Sequence, residues 1–326
     1  MWLENKNGEK MSNIKVSVIC LVYNHEPYLR KCLDGFVNQK CNFEYEVLIH
    51  DDASTDNSAS IIREYEEKYP NIIKPIYQTE NQMSKGVKIS SVYLYPKAQG
   101  EYLAWCEGDD YWTDENKLQR QVDFLDSHPE YIACVHKFDT INKHNEKTNE
   151  ISFGYYEKEG AFTLDDFQNY DLPSHLATLC SRNIIKNNTR YQALSQIKLQ
   201  GDIKIFLFLL LEGNIYRMCD NYSVYRIVRE EGGESWTSRR LSKKDRCRRE
   251  WNGIRSLEKT VKEVYGIKIN CKKRKQQIAF YDIILDRKLF TMIKKAFYYI
   301  FNQSGMIPVL VSKVFNRKRK ILDNKL

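Results

Sequence analysis

Three β-rich runs, at residues 16–23, 44–50 and 102–106, constrain the fold most, because each breaks off abruptly at polar or acidic residues. Val16-Ser17-Val18-Ile19-Cys20-Leu21-Val22-Tyr23 shows almost no polar alternation, which suits a strand buried on both faces of a parallel sheet. After Pro27, well placed at a helix start, Tyr28, Leu29, Cys32, Leu33, Phe36 and Val37 recur at helical spacing as far as Gln39. The second run enters Asp51-Asp52-Ala53-Ser54-Thr55-Asp56, where Ser54 or Thr55 can cap a helix that buries Ile61, Ile62, Tyr65 and Tyr69 and stops at Pro70. A third strand is expected over residues 72–77, a polar loop over 78–85, a helix over 89–98 and a strand over 102–106. An amphipathic helix from Lys117 then ends before Pro129. Four strands alternating with helices predict an α/β chain with a doubly wound, mostly parallel sheet. Ligands of such sheets bind beyond the carboxyl ends of the strands, where Tyr23, Asp52 and Asp109 would emerge together.

Two of those strand ends are acidic. Glu107, Asp109 and Asp110 form a partial oxygen cage of the kind that holds Mg²⁺ or Mn²⁺ together with substrate phosphates. The plainer reading is a solvated acidic turn that opens the next helix. Asp51 and Asp52 can offset a helix dipole, or one of them can accept hydrogen bonds from a nucleotide base or ribose. Neither GxGxxG nor GxxxxGK[ST] occurs, so a glycine-rich phosphate cradle is not available. A cation at the acidic motif would neutralise a diphosphate instead.

The 326 residues suffice for one large α/β domain or two smaller ones, and 42% hydrophobic with 29% charged residues is a globular composition. The net charge of +8 is uneven, with basic clusters between residues 239 and 275 and between 287 and 320, which invites an anionic partner. Nine cysteines without a CxxC pair read as free thiols of a reducing compartment. Residues 1–13 read as a polar leader without a signal-peptide core. The apolar runs at 203–211 and 296–315 are too short or too interrupted to span a membrane.

Taken together, these marks resemble the nucleotide-sugar-binding half of a family 2 glycosyltransferase with the GT-A fold. They are Val18-Ile19 before Tyr23-Asn24, Gln39, Glu46-Val47-Leu48-Ile49 into Asp51-Asp52-Ala53-Ser54-Thr55-Asp56, Gly100-Glu101-Tyr102, and Glu107-Gly108-Asp109-Asp110-Tyr111-Trp112 before Lys117-Leu118. Three positions depart from the family's pattern: Leu21-Val22 replaces a usual Pro-Thr, Ala53 a frequent Gly, and Glu107 a more usual Asp.

The resemblance implies a Rossmann-like, mostly parallel central sheet flanked by helices, with a helical basic C-terminal extension. It divides the chain into a donor half at 14–128, an acceptor and catalytic-base half at 129–236, and an extension at 237–326. The donor, a nucleoside-diphosphate sugar and foremost a UDP-sugar, would be bound by Leu21, Tyr23, Asn24, Asp51, Asp52, Asp109, Arg226 and Trp236. Glu107, Asp109 and Asp110 would hold Mn²⁺ or Mg²⁺. Inversion by single displacement needs a carboxylate to take the acceptor's proton. Asp202, opening the apolar helix after Gly201, matches the family's base, although Asp there is more commonly an ordinary helix cap. His175 and Trp112 are candidates on the acceptor side.

The implied product is a bacterial capsule, O-antigen or other surface polysaccharide, made on a glycan or lipid-linked acceptor. The enzyme would be cytoplasmic and peripheral at the inner face of the plasma membrane. The basic C-terminal region would meet anionic lipid, and no nucleic acid is expected. A sugar nucleotidyltransferase and a non-catalytic membrane-associated scaffold are the alternatives.

Overall fold

The computed structural model describes residues 14–148, 158–169, 172–228, 243–284 and 291–295. These residues divide into two compact units, the first holding 14–167, 172–195 and 201–228, the second 168–169, 196–200 and the described residues from 243 onward.

The first unit is built on one sheet of ten described strands. β1 (Ile14–Val22), β2 (Glu44–Asp51), β3 (Ile73–Tyr77) and β4 (Tyr102–Trp105) are mutually parallel in the spatial order β3-β2-β1-β4. The helices between them are α1 (Glu26–Val37) and α2 (Ser58–Lys68). α1 buries Leu29, Cys32, Leu33 and Phe36, a helical stripe that packs against Val18, Cys20 and Val22 in one core. β5 (Tyr111–Trp112) and α3 (Lys117–Ser127) follow, then β6 (Tyr131–Ile141), β7 (Lys147–Thr148), β8 (Gly160–Phe162) and α4 (Leu164–Gln168). β9 (Cys180–Arg182) lies antiparallel between β4 and β6. The short α5 (Thr189–Ser195) and the buried α6 (Gly201–Glu212) lead into β10 (Asn214–Arg226), which runs parallel to β6.

β1, β2, β4, β6 and β10 therefore all point the same way, and Val22, Asp51, Trp105, Ile141 and Arg226 end at one edge of the sheet. α6 turns directly into β10 at Gly213 and so starts near that same edge, which carries Asp202 there. The expected α/β sheet is present and its donor-side strands match within two residues.

Two local expectations change. The helix foreseen over 89–98 is only a five-residue π-helical turn, Ser90–Leu94. α2 starts at Ser58 rather than at a Ser54 or Thr55 cap, because those hydroxyls and their amides are committed to the neighbouring loop.

The second unit contains α7 (Lys243–Tyr265) and α8 (Lys272–Ile284). Trp251, Ile254, Leu257 and Val261 of α7 are buried, as are Ile278, Ala279 and Ile283 of α8. Gly266, with φ of 72°, ends α7 in the left-handed conformation that glycine tolerates. Among the described residues no helix is long and apolar enough to cross a membrane.

Candidate active site

The two loops that leave β1 and β2 are laced to each other. Asn24 sits at φ 55° and Ala53 at φ 60°, so the chain turns left-handed at both strand ends. The Asn24 amide donates to Ser54 Oγ (3.0 Å), while Asn24 Oδ1 accepts from the Thr55 amide (2.8 Å). Glu26 and Asp56 cap each other's helices through the Glu26 and Asn57 amides. Left-handed backbone at Ala53 explains why glycine serves well there.

Asp52 directs both carboxylate oxygens at the next loop, accepting from the amides of Gln82 (2.8 Å) and Met83 (3.0 Å). Asp51 is 2% exposed, and its Oδ1 has no hydrogen-bond partner. Burial raises its pKa, opposed by hydrogen bonds from Ser54. Of the expected pair, Asp52 thus braces a loop, and Asp51 keeps an unsatisfied oxygen. Leu21 lends its carbonyl to the Gly108 amide (3.0 Å), and Tyr23 is half-buried just past the end of β1.

The acidic motif leaves β4 over a layer of thiols. Cys32 and Cys106 both donate to the Glu107 carbonyl, at 3.5 and 3.7 Å. Gly108 passes so close to the β1–α1 loop that a Cβ there would lie 2.8 Å from His25 Nδ1 and 2.9 Å from Val22 Cγ2.

Glu107 is open to solvent, Asp109 half-buried and Asp110 only 2% exposed. Neighbouring protein groups nevertheless crowd the Glu107 carboxylate. Desolvation there, followed by the charges of Asp109 and Asp202, raises its pKa to about 8. Asp109 and Asp202 thus both act on the Glu107 carboxylate, although Asp202 is some hundred positions away in sequence. Asp202 is half-buried in the first turn of α6 and accepts from the Ile203 amide at 2.7 Å. Desolvation raises its pKa too, opposed by hydrogen bonds and by Lys204, so it is held as a stronger base than a free Asp.

Several expected roles need correction. Asp110, foreseen as a metal ligand, is turned inward: its Oδ1 accepts from the Arg226 amide at 2.8 Å and its Oδ2 lies 3.7 Å from His175 Nδ1. Burial, then the charge of Asp109, raises its pKa well above the carboxylate range.

Arg226, foreseen over the diphosphate, is 3% exposed. Its guanidinium donates to the carbonyls of Asp109 (3.0 Å) and Asn142 (3.0 Å) and to Asn145 Oδ1 (2.9 Å), and stacks 4.1 Å from the Tyr28 ring centroid. It holds the motif's backbone in place rather than reaching into the cleft. Trp112, foreseen on the acceptor side, is a core residue, 4% exposed, with its indole N–H on the Ala177 carbonyl (2.9 Å) and the Lys117 ammonium 4.0 Å above its ring. Trp236 lies outside the described residues.

His175 remains at the cleft. Its ring stacks on Tyr225 with centroids 3.9 Å apart, and Nδ1 accepts from the Ala177 amide at 3.2 Å. Burial lowers its pKa to about 3, so the ring is neutral and carries its proton on Nε2. No charged pair with Asp110 forms.

Sequence reasoning missed Tyr225 as the platform for His175 and missed the clamp of Asp52 on Gln82 and Met83. It also passed over His25, whose buried Nδ1 has no partner beside Gly108. The strand pattern around Tyr225 was visible, but nothing local announces the other two.

Among the described residues, no three or more His, Cys, Asp or Glu side chains cluster tightly enough to hold a metal by themselves. Glu107 and Asp109, two mutually repelling carboxylates open to the cleft, fit instead a cation that arrives with a diphosphate. Mg²⁺ and Mn²⁺ commonly bind through one or two carboxylates plus substrate phosphates.

A mostly parallel sheet with acidic residues at its strand ends is a frame for nucleotide binding. The family model of glycosyl transferase family 2 matches residues 17–186, more than half of the chain, and the chain belongs to that family. An uncharacterized protein of Mycobacterium tuberculosis is 45% identical over 136 residues, covering 42% of this chain and 38% of that protein. The minor teichoic acid biosynthesis protein GgaB of Bacillus subtilis is 27% identical over 241 residues, covering 72% of this chain and 25% of its own length. The chain thus spans less than two fifths of either relative. A crystal structure of S. aureus TarS 1-349 in complex with UDP-GlcNAc superposes with a TM-score of 0.60 at 20% identity, covering 88% of this chain and 81% of that one. This likeness speaks for the shared GT-A fold.

Proposed function

We propose that this glycosyltransferase moves a sugar from a UDP-sugar to an acceptor hydroxyl of a bacterial surface polysaccharide, by single displacement with inversion and with a divalent cation. The observation that carries the reading is that Asp109 and Asp202, from a strand end and from the start of α6, both act on the Glu107 carboxylate. Relatives add support, since GgaB is named for teichoic acid biosynthesis and TarS was crystallised with UDP-GlcNAc.

In the proposed reaction, Asp202 accepts the proton of the acceptor hydroxyl as its oxygen attacks the anomeric carbon, and the bond to the diphosphate breaks on the opposite face. Its raised pKa suits it to that task. Glu107 and Asp109 would hold the cation, which supplies charge neutralisation to the departing diphosphate when bound. Asp110 and Arg226 keep the motif's backbone rigid, so that Asp109 is presented without reorganisation. His175, with Nε2–H as a neutral donor, would orient the diphosphate or the acceptor. Asp51 would meet the nucleoside.

The test is a calorimetric titration of the protein with UDP, GDP and CDP, each with and without Mn²⁺, repeated on Asp109→Ala. Cation-dependent UDP binding lost in the variant supports the reading, and binding of no diphosphate under any condition sinks it.

A further inference from the structure

The basic helices of the second unit carry nearly all of the chain's excess charge. α7 and α8 together hold twelve basic and five acidic residues, a net of +7 against +8 for the whole chain. The acids are not spread evenly over the helix surface. Glu250 and Glu258 of α7 turn inward, where Glu250 pairs with Arg274 and Glu258 Oε2 accepts from Lys275 Nζ at 2.8 Å.

What α7 leaves outside is mainly cationic, with two exposed acids beside it, Asp245 and Glu263, the latter 3.6 Å from Lys259 Nζ. Arg248, Arg255, Lys259 and Lys262 are all exposed, and at 100° per residue they fall within a stripe about 60° wide. Arg248, Arg255 and Lys262 recur every seventh residue, so the stripe places a charge roughly every 10 Å over some 20 Å of helix. The apolar residues of the helix, Trp251, Ile254, Leu257 and Val261, are consumed by its own core. α7 therefore has no apolar face left for insertion into lipid, which an interfacial membrane helix requires.

We propose that this stripe is a docking surface for a polyanionic acceptor chain, a polyol polymer joined by phosphodiesters. The assignment rests on the transferase reading above and specifies the chemistry of its acceptor. A row of regularly spaced guanidinium and ammonium groups matches a polymer that repeats a single negative charge. It binds that polymer without reading its sequence, as basic surfaces do with phosphate backbones. Chain sliding along the stripe would bring successive repeats to the enzyme at high local concentration.

The test uses the full chain and the triple variant Arg248→Gln, Arg255→Gln, Lys262→Gln, all three exposed and so compatible with folding. A fluorescent oligo(ribitol phosphate) is titrated by anisotropy over a range of salt, beside vesicles of phosphatidylglycerol with phosphatidylcholine and an oligothymidylate. The expected result is salt-dependent binding of the oligo(ribitol phosphate), weakened roughly tenfold or more in the variant, with the slope of log K against log salt reduced by about two. UDP binding in the same samples stays unchanged. Equal oligomer binding by both proteins would overturn the proposal. Binding of the vesicles but not the oligomer would assign the stripe to membrane. Oligothymidylate binding as tight as the oligomer's would remove the polyol phosphate from it. Loss of UDP binding in the wild type would count against the transferase reading alone.

Discussion

Replacing Gly108 by Ala tests whether the acidic motif is positioned by the close approach of its backbone to the β1–α1 loop. The new Cβ would lie 2.8 Å from His25 Nδ1, 2.9 Å from Val22 Cγ2 and 3.2 Å from Leu29 Cδ1, against an optimum of about 3.5–4.0 Å. Val22 and Leu29 are buried at 1% and 0%, so they cannot simply swing away. Overpacking of this kind costs about 1–3 kcal/mol. Because Glu107 and Asp109 flank the glycine, the half-ångström or greater shift moves both carboxylates.

Gly266→Ala is the control, since a Cβ there meets nothing within 4 Å and the cost is confined to its φ of 72°, about 1–2 kcal/mol. Thermal denaturation should lower Tm in both variants, by about 2–4 °C per kcal/mol. Titration with UDP and Mn²⁺ should separate them, with affinity falling roughly tenfold or more in Gly108→Ala alone. A Gly108→Ala protein with unchanged Tm and unchanged UDP affinity would refute the reasoning.

Other expectations follow from the ionisable groups. Glu107, with its pKa raised to about 8 from 4.5, is mostly protonated at neutral pH, and its ionised fraction falls about tenfold per pH unit below 8. Binding of Mn²⁺ with UDP, taken relative to Glu107→Gln, should therefore strengthen up to pH 8 and then level off; a flat ratio would refute this. The same raised pKa means that the unliganded protein loses stability as pH rises from 4.5 through 8.

Lys117 is fully buried, and desolvation lowers its pKa to about 8 from 10.5. Between those values the folded state binds fewer protons than the unfolded chain, so stability relative to Lys117→Met should rise over that window. The gain is at most roughly 3 kcal/mol by urea denaturation. Asp52→Ala should free the loop at Gln82 and Met83, read as faster amide exchange there with the remaining sheet unchanged.

The donor half of the fold was legible because its strands are continuous apolar runs punctuated by Pro, Gly and acidic residues. Residues 16–22 can hardly be anything but a central strand. β9 was not legible, since three residues, Cys180–Arg182, carry no period and gain their partners only when β4 and β6 close around them. Asp109 could be read as a site residue from its place at a strand end. The separate fate of Asp110 could not, because it is decided by the Arg226 amide 116 residues away. Trp112 and Arg226 look like ligand residues by type, and only tertiary packing shows that one fills the core and the other braces a loop. The caps expected for α2 fail for the same reason: Ser54 and Thr55 bond to Asn24 in a neighbouring loop, and the helix starts at Ser58.

The central claim is that Asp202 serves as the base opposite a diphosphate held by Glu107 and Asp109. The most direct measurement compares wild type with Asp202→Asn for sugar transfer from UDP-GlcNAc to an oligo(ribitol phosphate), together with UDP affinity in the presence of Mn²⁺. The account predicts that transfer falls by about 10²–10⁴-fold while UDP affinity is retained. Full transfer activity in Asp202→Asn would contradict it.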